Sequence, residues 1–424
     1  MPGNGEIEWA GGRHGVAPYE YVGALMSALH EDVDEIMPGL VADRRWLHEH
    51  PELGMQEFET SRFIVGRLQT LGVEDIRTGL SETGVTALVR GTGTGSGAGK
   101  VVLLRADMDA LPIQEENDVE YRSQTDGVMH ACGHDAHVTI LLGVARLLTA
   151  QRDRFAGTVK LLFQPCEETV PGGAAWMIRD GALEDPHVDA IFGLHLAQFL
   201  PVGTVGVNAG PVMAAGRFFK VNVQGRGGHG AVPHLSKDPI VAAVEMISAL
   251  QTVVARNVDP METAVLSVGT INAGIASNVI PDSLEFSGTH RTFSQEVERL
   301  VSERFVTIVE GVAAAHGVTV EIDMPVGLPA VVNDPAMADV VRRAAIRTVG
   351  EEKTVPGVPW MASEDFAYYL NERPGCFFFV GSSNAERGLV WDHHHPKFDI
   401  DEDSLVIGVE TMTQTVLEYL GEES

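Results

Sequence analysis

The chain is 424 residues long, 44% hydrophobic and 21% charged, with a formal charge of −29 at neutral pH. That length suits two domains, because one hydrophobic core rarely grows much beyond roughly 250–300 residues. So acidic a balance excludes a nucleic-acid binder, which needs a basic face. No uncharged apolar run reaches about 18 residues, which argues against a membrane span. Three cysteines (Cys132, Cys166 and Cys376) are too few for a disulfide framework. The opening residues, MPGNGEIEWAGGRHG, lack the basic start and apolar stretch of a signal peptide, so a cytoplasmic protein is expected.

Residues 1–35 read as a leader of unknown role whose tail, YEYVGALMSALHEDVDEIM, can form one helix. From Leu40 an amphipathic pattern continues through VADRRWLHEHPEL, and FETSRFIVGRLQTLG predicts a helix closed by Gly72. GVTALVRG then reads as a strand. Residues 91–100, GTGTGSGAGK, imitate a phosphate loop. However, Thr94 stands where its first glycine belongs, Val101 replaces the Ser or Thr after the lysine, and a strand follows instead of a helix. The segment is a flexible hairpin loop.

Beyond it, strands (VVLLRA, VKLLF, VDAIFGLH) alternate with helices (VTILLGVARLLTAQ, GAAWMIRDG). This predicts an α/β fold with a doubly wound, mostly parallel sheet. From about Gly216 to Pro329 the order becomes βαββαβ, the ferredoxin-like split unit, as an α+β insertion. The expected division is 36–214 with 330–424 as the catalytic domain and 215–329 as the inserted one.

The chemistry gathers after the strands of the main domain. VVLLRA runs into Asp107 and Asp109, VKLLF into Glu167 and Glu168, and VDAIFGL into His195. FFFVG precedes His393, His394 and His395, and the segment MHACGHDAH packs three histidines and a cysteine into nine residues. Ligands bind beyond the carboxyl ends of strands in open α/β sheets, so these groups converge on one edge. Imidazole, carboxylate and one thiolate suit zinc or a neighbouring divalent transition ion. There are too many donors for one tetrahedral ion, which points to two metals, and paired glutamates can divide metal binding from proton transfer. Reading Cys132 as a nucleophile leaves His195 and Glu168 without a role.

With these motifs in order, the chain resembles the dinuclear metal amidohydrolases that include hippurate hydrolases, N-acyl-amino-acid hydrolases and plant indole-acetyl-amino-acid hydrolases. That group belongs to a wider clan with the aminoacylases. The resemblance runs from about Leu40 to Leu420 and rests on RADMDALPIQE, MHACGHDAH, FQPCEE, GLH, GGHGAVPH, NVIPD, RTF, SEDFAYY and HHPKFDIDE. It implies Cys132, His134, Glu168, His195 and His394 as ligands of two divalent ions, zinc or manganese, with cobalt and nickel tolerated. Pro396 selects His394 among its neighbours. Glu167 would be the general base for a metal-activated water, and Asp109 would orient the site from behind. The insertion resembles a lid and dimerisation domain. From it His229 would reach the partner subunit's active site to stabilise the oxyanion, while Asn278 and Arg291 hold a substrate carboxylate.

The implied activity is hydrolysis of the amide of an N-acyl-amino acid by a cytoplasmic homodimer. Its rivals are a dipeptidase or carboxypeptidase of the same clan and a metal-bound protein that binds a ligand without turnover. Two features depart from the family. QPCEET carries Cys166 and Thr169 where small residues and glycine are usual, with packing the expected role for Cys166, and the leader is longer than the family's usual start.

Overall fold

The apolar run VVLLRAD becomes a strand, Val101–Asp107, with every residue buried. It lies inside an eight-stranded sheet in a computed structural model that describes residues 28–421. The four central strands, in the order Thr158–Gln164, Val101–Asp107, Ala190–Pro201 and Gly375–Ser383, are mutually parallel. Continuous burial on both faces explains why their sequences read as unbroken apolar runs rather than alternating ones. Further strands extend the sheet on either side, pairing antiparallel except for Thr354–Val355, which runs parallel to Val205–Gly206. Gly84–Arg90 and then Glu74–Leu80 add to one side, and Val205–Gly206 and Thr354–Val355 to the other. The strand Glu74–Leu80 is mostly exposed and polar (EDIRTGL), so no hydrophobic period announces it.

Helices cover both faces, as a doubly wound sheet requires. Ala28–Glu49, His134–Ala150, Pro335–Val349 and Asp403–Leu420 pack together over one face. The shorter Gly173–Arg179 and Ala367–Glu372 meet on the other, around Met177, Phe366 and Tyr369. The first helix runs through Pro38 without a break, joining the two helical stretches read separately in the sequence. Leu29 and Val33 are buried in the main core, so residues 28–35 of the expected leader are part of the fold. Residues 1–27 lie outside the described residues.

The insertion forms a separate antiparallel sheet in the order Ala264–Ala273, Ser283–Thr292, Ala215–Gln224, Thr319–Asp323. Two helices pack on it, each started by a capping side chain. Asp238 Oδ1 accepts the N–H groups of Ile240 and Val241 ahead of Pro239–Asn257, and Ser294 Oγ accepts that of Val297 ahead of Gln295–His316. The order βαββαβ is the expected one. Pro239–Asn257 has the length and apolarity of a membrane span. It nevertheless buries Ala242, Met246, Leu250 and Val253 in the core of this sheet. Gly216 and Leu328 exchange both backbone hydrogen bonds at 3.0 Å, tying the chain's entry into the insertion to its exit.

Candidate metal centre

The site begins at the carboxyl end of Val101–Asp107 and at the start of His134–Ala150. Gly133 caps that helix with φ +89°, a conformation that glycine adopts without strain, and His134 is its first residue. His134 Nδ1 lies 2.9 Å from the Asp109 carbonyl, an acceptor, so that nitrogen carries a proton and Nε2 is the one left to face the other donors. His195 repeats the arrangement from the middle of its strand, with Nδ1 donating to the Leu196 carbonyl at 2.6 Å. Its Nε2 stands 3.5 Å from Cys132 Sγ. Nε2 of His134 and Oε1 of Glu168 are buried without a hydrogen-bond partner. Buried polar atoms are rarely left so, and here they face a shared space.

Donor atoms fall into overlapping groups within 4.8 Å: Cys132 with His134 and His195, Cys132 with Glu168 and His394, and His134 with Glu167 and Glu168. All five expected ligands are therefore brought together. The run of three histidines is resolved by geometry. His393 is tied to the Leu196 carbonyl at 2.9 Å, and His395 stacks on Trp391 with centroids 4.2 Å apart. His394 is held in a left-handed conformation (φ +66°) by its N–H to Ala131 O, and its Nε2 lies 3.3 Å from Glu168 Oε1. Its side chain is 53% exposed, which marks the open side of the cluster.

His137 is excluded as a donor although it shares the motif. Its Nε2 accepts the Leu196 N–H at 3.0 Å, which leaves the proton on Nδ1 for Asp107 at 2.6 Å. A further acidic group of Glu167, Glu364 and Asp365 is served by a cation already present. The buried Arg105 guanidinium reaches Asp107 at 2.5 Å, Glu364 at 2.9 Å and Asp365 at 2.8 Å. His130, the first of the motif's histidines, is buried, and burial lowers it to about 4, so it is neutral.

The charges show what the cluster lacks. Burial opposes a charge on His134, yet Asp107 and Asp109 raise its imidazole to about 10. Burial, with Glu168 and Glu167, pushes the Cys132 thiol well up, while burial and the neighbouring His137 and His393 push His195 well down. Such an excess of negative charge around clustered imidazole, thiol and carboxylate groups is what divalent cations neutralise, and cations would displace the protons of His134 Nε2 and of the thiol. The donor set fits two metal ions. Burial, then Glu364, Glu168 and Asp365, holds the Glu167 carboxyl well above its ordinary range.

The loop of these glutamates hangs on carboxylates. Asp109 accepts the N–H groups of Glu167 and Glu168, and Glu57 Oε1 accepts that of Cys166 at 2.9 Å. Cys166 is buried in a left-handed conformation against Gly54, where a Cβ would lie 2.9 Å from its sulfur. It is a packing residue, as its place in the sequence suggests. Glu57, Arg105, His137 and Glu364 were not singled out from the sequence. Each is one charge among many there, and only the fold buries them behind the ligands.

Three expected residues stand apart from the donor cluster. His229 and Asn278 are exposed neighbours on the insertion, where Gly230 N donates to the Asn278 carbonyl at 2.8 Å. Arg291 is half-buried beside Gly216, its guanidinium 5.5 Å over the Phe218 ring and with no ion-pair partner among the described residues.

Residues 103–418 match the model of peptidase family M20/M25/M40. An N-acetyl-L-cysteine deacetylase of Bacillus subtilis is 42% identical over 397 residues, 92% of each chain. A thermostable carboxypeptidase of Saccharolobus solfataricus is 39% identical over 388 residues, 91% of this chain and 96% of its own. Among solved structures, the YxeP protein of Bacillus subtilis, described as a dinuclear metal-binding peptidase of the M20 family, superposes with a TM-score of 0.78. It is 37% identical, and the match covers 91% of this chain and 98% of that one. With the fold, the donor cluster and these likenesses in agreement, the chain belongs to peptidase family M20/M25/M40 and is a metal-dependent amide hydrolase.

Proposed function

We propose that the protein hydrolyses N-acyl-amino acids to a carboxylic acid and an amino acid. The carrying observation is geometric: His134 Nε2 and Glu168 Oε1, both buried without a hydrogen bond, meet the Glu167 carboxyl in one cluster of donor atoms. Cys132, His134, Glu168, His195 and His394 would hold two divalent ions, zinc or manganese, with cobalt or nickel tolerated by the same donors. When bound, the ions supply Lewis acidity toward the acyl carbonyl and the attacking water. Glu167 takes the proton of that water and returns it to the departing nitrogen. Asp109 keeps the backbone of both glutamates and the ring of His134 in register.

Arg291 and Asn278 bind the amino-acid carboxylate. A half-buried guanidinium lacking a carboxylate of its own supports that role. The inserted unit, 215–329, serves as lid and dimerisation domain, and His229 acts across the dimer on the partner's oxyanion. Support for the dimer comes from the outer face of Pro239–Asn257, where Val241 and Val244 are 53% and 61% exposed. Beside it the edge strand Ala264–Ala273 leaves Val265 and Ile271 exposed, a combination that invites a second copy. Three buried free cysteines suit a reducing, cytoplasmic setting.

The test is amino-acid release from acetyl-, benzoyl-, indoleacetyl- and long-chain acyl-amino acids and from free dipeptides, using Mn- or Zn-loaded protein. Release from an acyl substrate, stopped by a chelator, is the expected result. Release from dipeptides alone would replace this reading with a peptidase, and silence throughout would reject it.

A further inference from the structure

The donor imidazole of His195 has an aromatic neighbour outside the ligand set. Trp360 meets it edge-on with centroids 6.1 Å apart, and lies 5.3 Å from His393 and 5.6 Å from Phe199. Trp360 is only partly buried and Phe199 is 39% exposed. Two large rings left open beside a catalytic cluster forgo much of the roughly 150–250 Å² that each can bury. Their ring partners are aromatic or imidazole, so this wall offers stacking and no salt bridge.

The wall is joined to the rest of the site by a short stretch of chain. Trp360 is pinned to the root of the insertion, its N–H donating to Val212 O at 2.8 Å and its carbonyl accepting from Ala214 N at 3.1 Å. Three residues on, Ser363 Oγ lies 2.2 Å from the point that a Cβ on Gly216 would occupy, and Arg291 Nη1 lies 3.0 Å from the same point. Glu364 and Asp365 follow, against Glu167. One segment therefore connects an aromatic end and a cationic end, with the backbones of Trp360 and Ser363 at most about 10 Å apart at 3.3 Å per residue, and then reaches the base. A substrate whose carboxylate meets Arg291 can place its acyl group, on the far side of the amide, at the other end.

We infer that Trp360 and Phe199 form the acyl-side wall of the cleft and select N-acyl-amino acids whose acyl group is a flat aromatic ring. This rests on the N-acyl-amino-acid reading above. A free peptide would bring an ammonium group to this wall, whose ring partners among the described residues are aromatic or imidazole.

The experiment measures kcat/KM for the N-benzoyl and N-acetyl derivatives of one amino acid with the metal-loaded full chain. The native protein should favour benzoyl by tenfold or more. Trp360→Ala and Phe199→Ala should each reduce that ratio several-fold, with Trp360→Phe restoring most of it, since the readout is selectivity and not total activity. Because Phe199 is exposed, its variant folds even if that of Trp360 does not. A native preference for acetyl, or variants that slow both substrates alike, would overturn the wall while leaving the hydrolase reading in place. Turnover of no acyl-amino acid at all would overturn both.

Discussion

Asp109 and Glu167 are joined through the main chain: Oδ1 of the aspartate accepts the Glu167 N–H at 3.0 Å, and Oδ2 accepts that of Glu168 at the same distance. The carboxylate thus aims the proposed base and one proposed ligand with a single rigid group. Asp109→Asn would turn an NH₂ toward one of these N–H donors. A drop of about 10–100-fold in kcat or metal affinity is expected, the range typical of groups behind a metal ligand. Native kinetics and native metal content in this variant would remove Asp109 from the machinery.

Glu167→Gln keeps the buried shape and removes the base. It should bind metal normally by elemental analysis while losing at least about 10²–10⁴-fold in turnover, the usual contribution of general base catalysis. Activity near the native level would exclude the mechanism.

The trans role of His229 has its own signature. His229→Ala and Glu167→Gln homodimers should each be inactive. Mixed by reversible dissociation, they should regain roughly a quarter of native activity, because in each two-fold heterodimer one site keeps both native residues. Failure to recover in a sample shown to contain heterodimers would place His229 on its own subunit's chemistry or outside it.

Glu57 gives a pH-dependent stability test. Burial raises its carboxyl to about 7, against the opposing hydrogen bonds from Thr83 and Cys166. Between about 4.5 and about 7 the native state therefore holds a proton that the unfolded chain has released. This group's contribution is full below that window and lost as pH rises through it. Glu57→Gln cannot titrate, and the Thr83 hydroxyl can accept from the new amide. The stability of the Gln variant relative to the native protein should rise from pH 4.5 to pH 8 in urea unfolding. A difference that does not change with pH would contradict this.

Arg44 balances buried acids beyond the proposed metal ligands, reaching Asp135 at 3.0 Å and Asp399 at 2.8 Å with no solvent exposure of its own. Arg44→Met should cost about 3–5 kcal/mol, since breaking a buried pair from one side leaves charge without compensation. Urea midpoints with and without metal would check it, and a loss below ~1 kcal/mol would show that His48, 2.7 Å from Asp135, suffices alone.

Much of this protein was legible in the residues alone. Unbroken apolar runs such as VVLLRA and VKLLF identified the doubly wound sheet, and the spacing of helix and strand signals identified the βαββαβ insertion. The clustering of His, Cys and Glu side chains was legible because these residues recur where strands end, and strand ends of one parallel sheet must share an edge. Tertiary structure decided the rest. Except by likeness, sequence could not separate His134 from His137, because the choice depends on which ring nitrogens are already taken by Leu196 N and Asp107. Nor could it rank His394 above its neighbours except by likeness, or find Glu57 and Arg105, whose roles come from partners as far as 109 and 260 residues away. Local order follows from the period of side chains along one element. Protonation, lone-pair direction and buried charge balance follow from groups distant in sequence that only packing brings within 3 Å or so of one another.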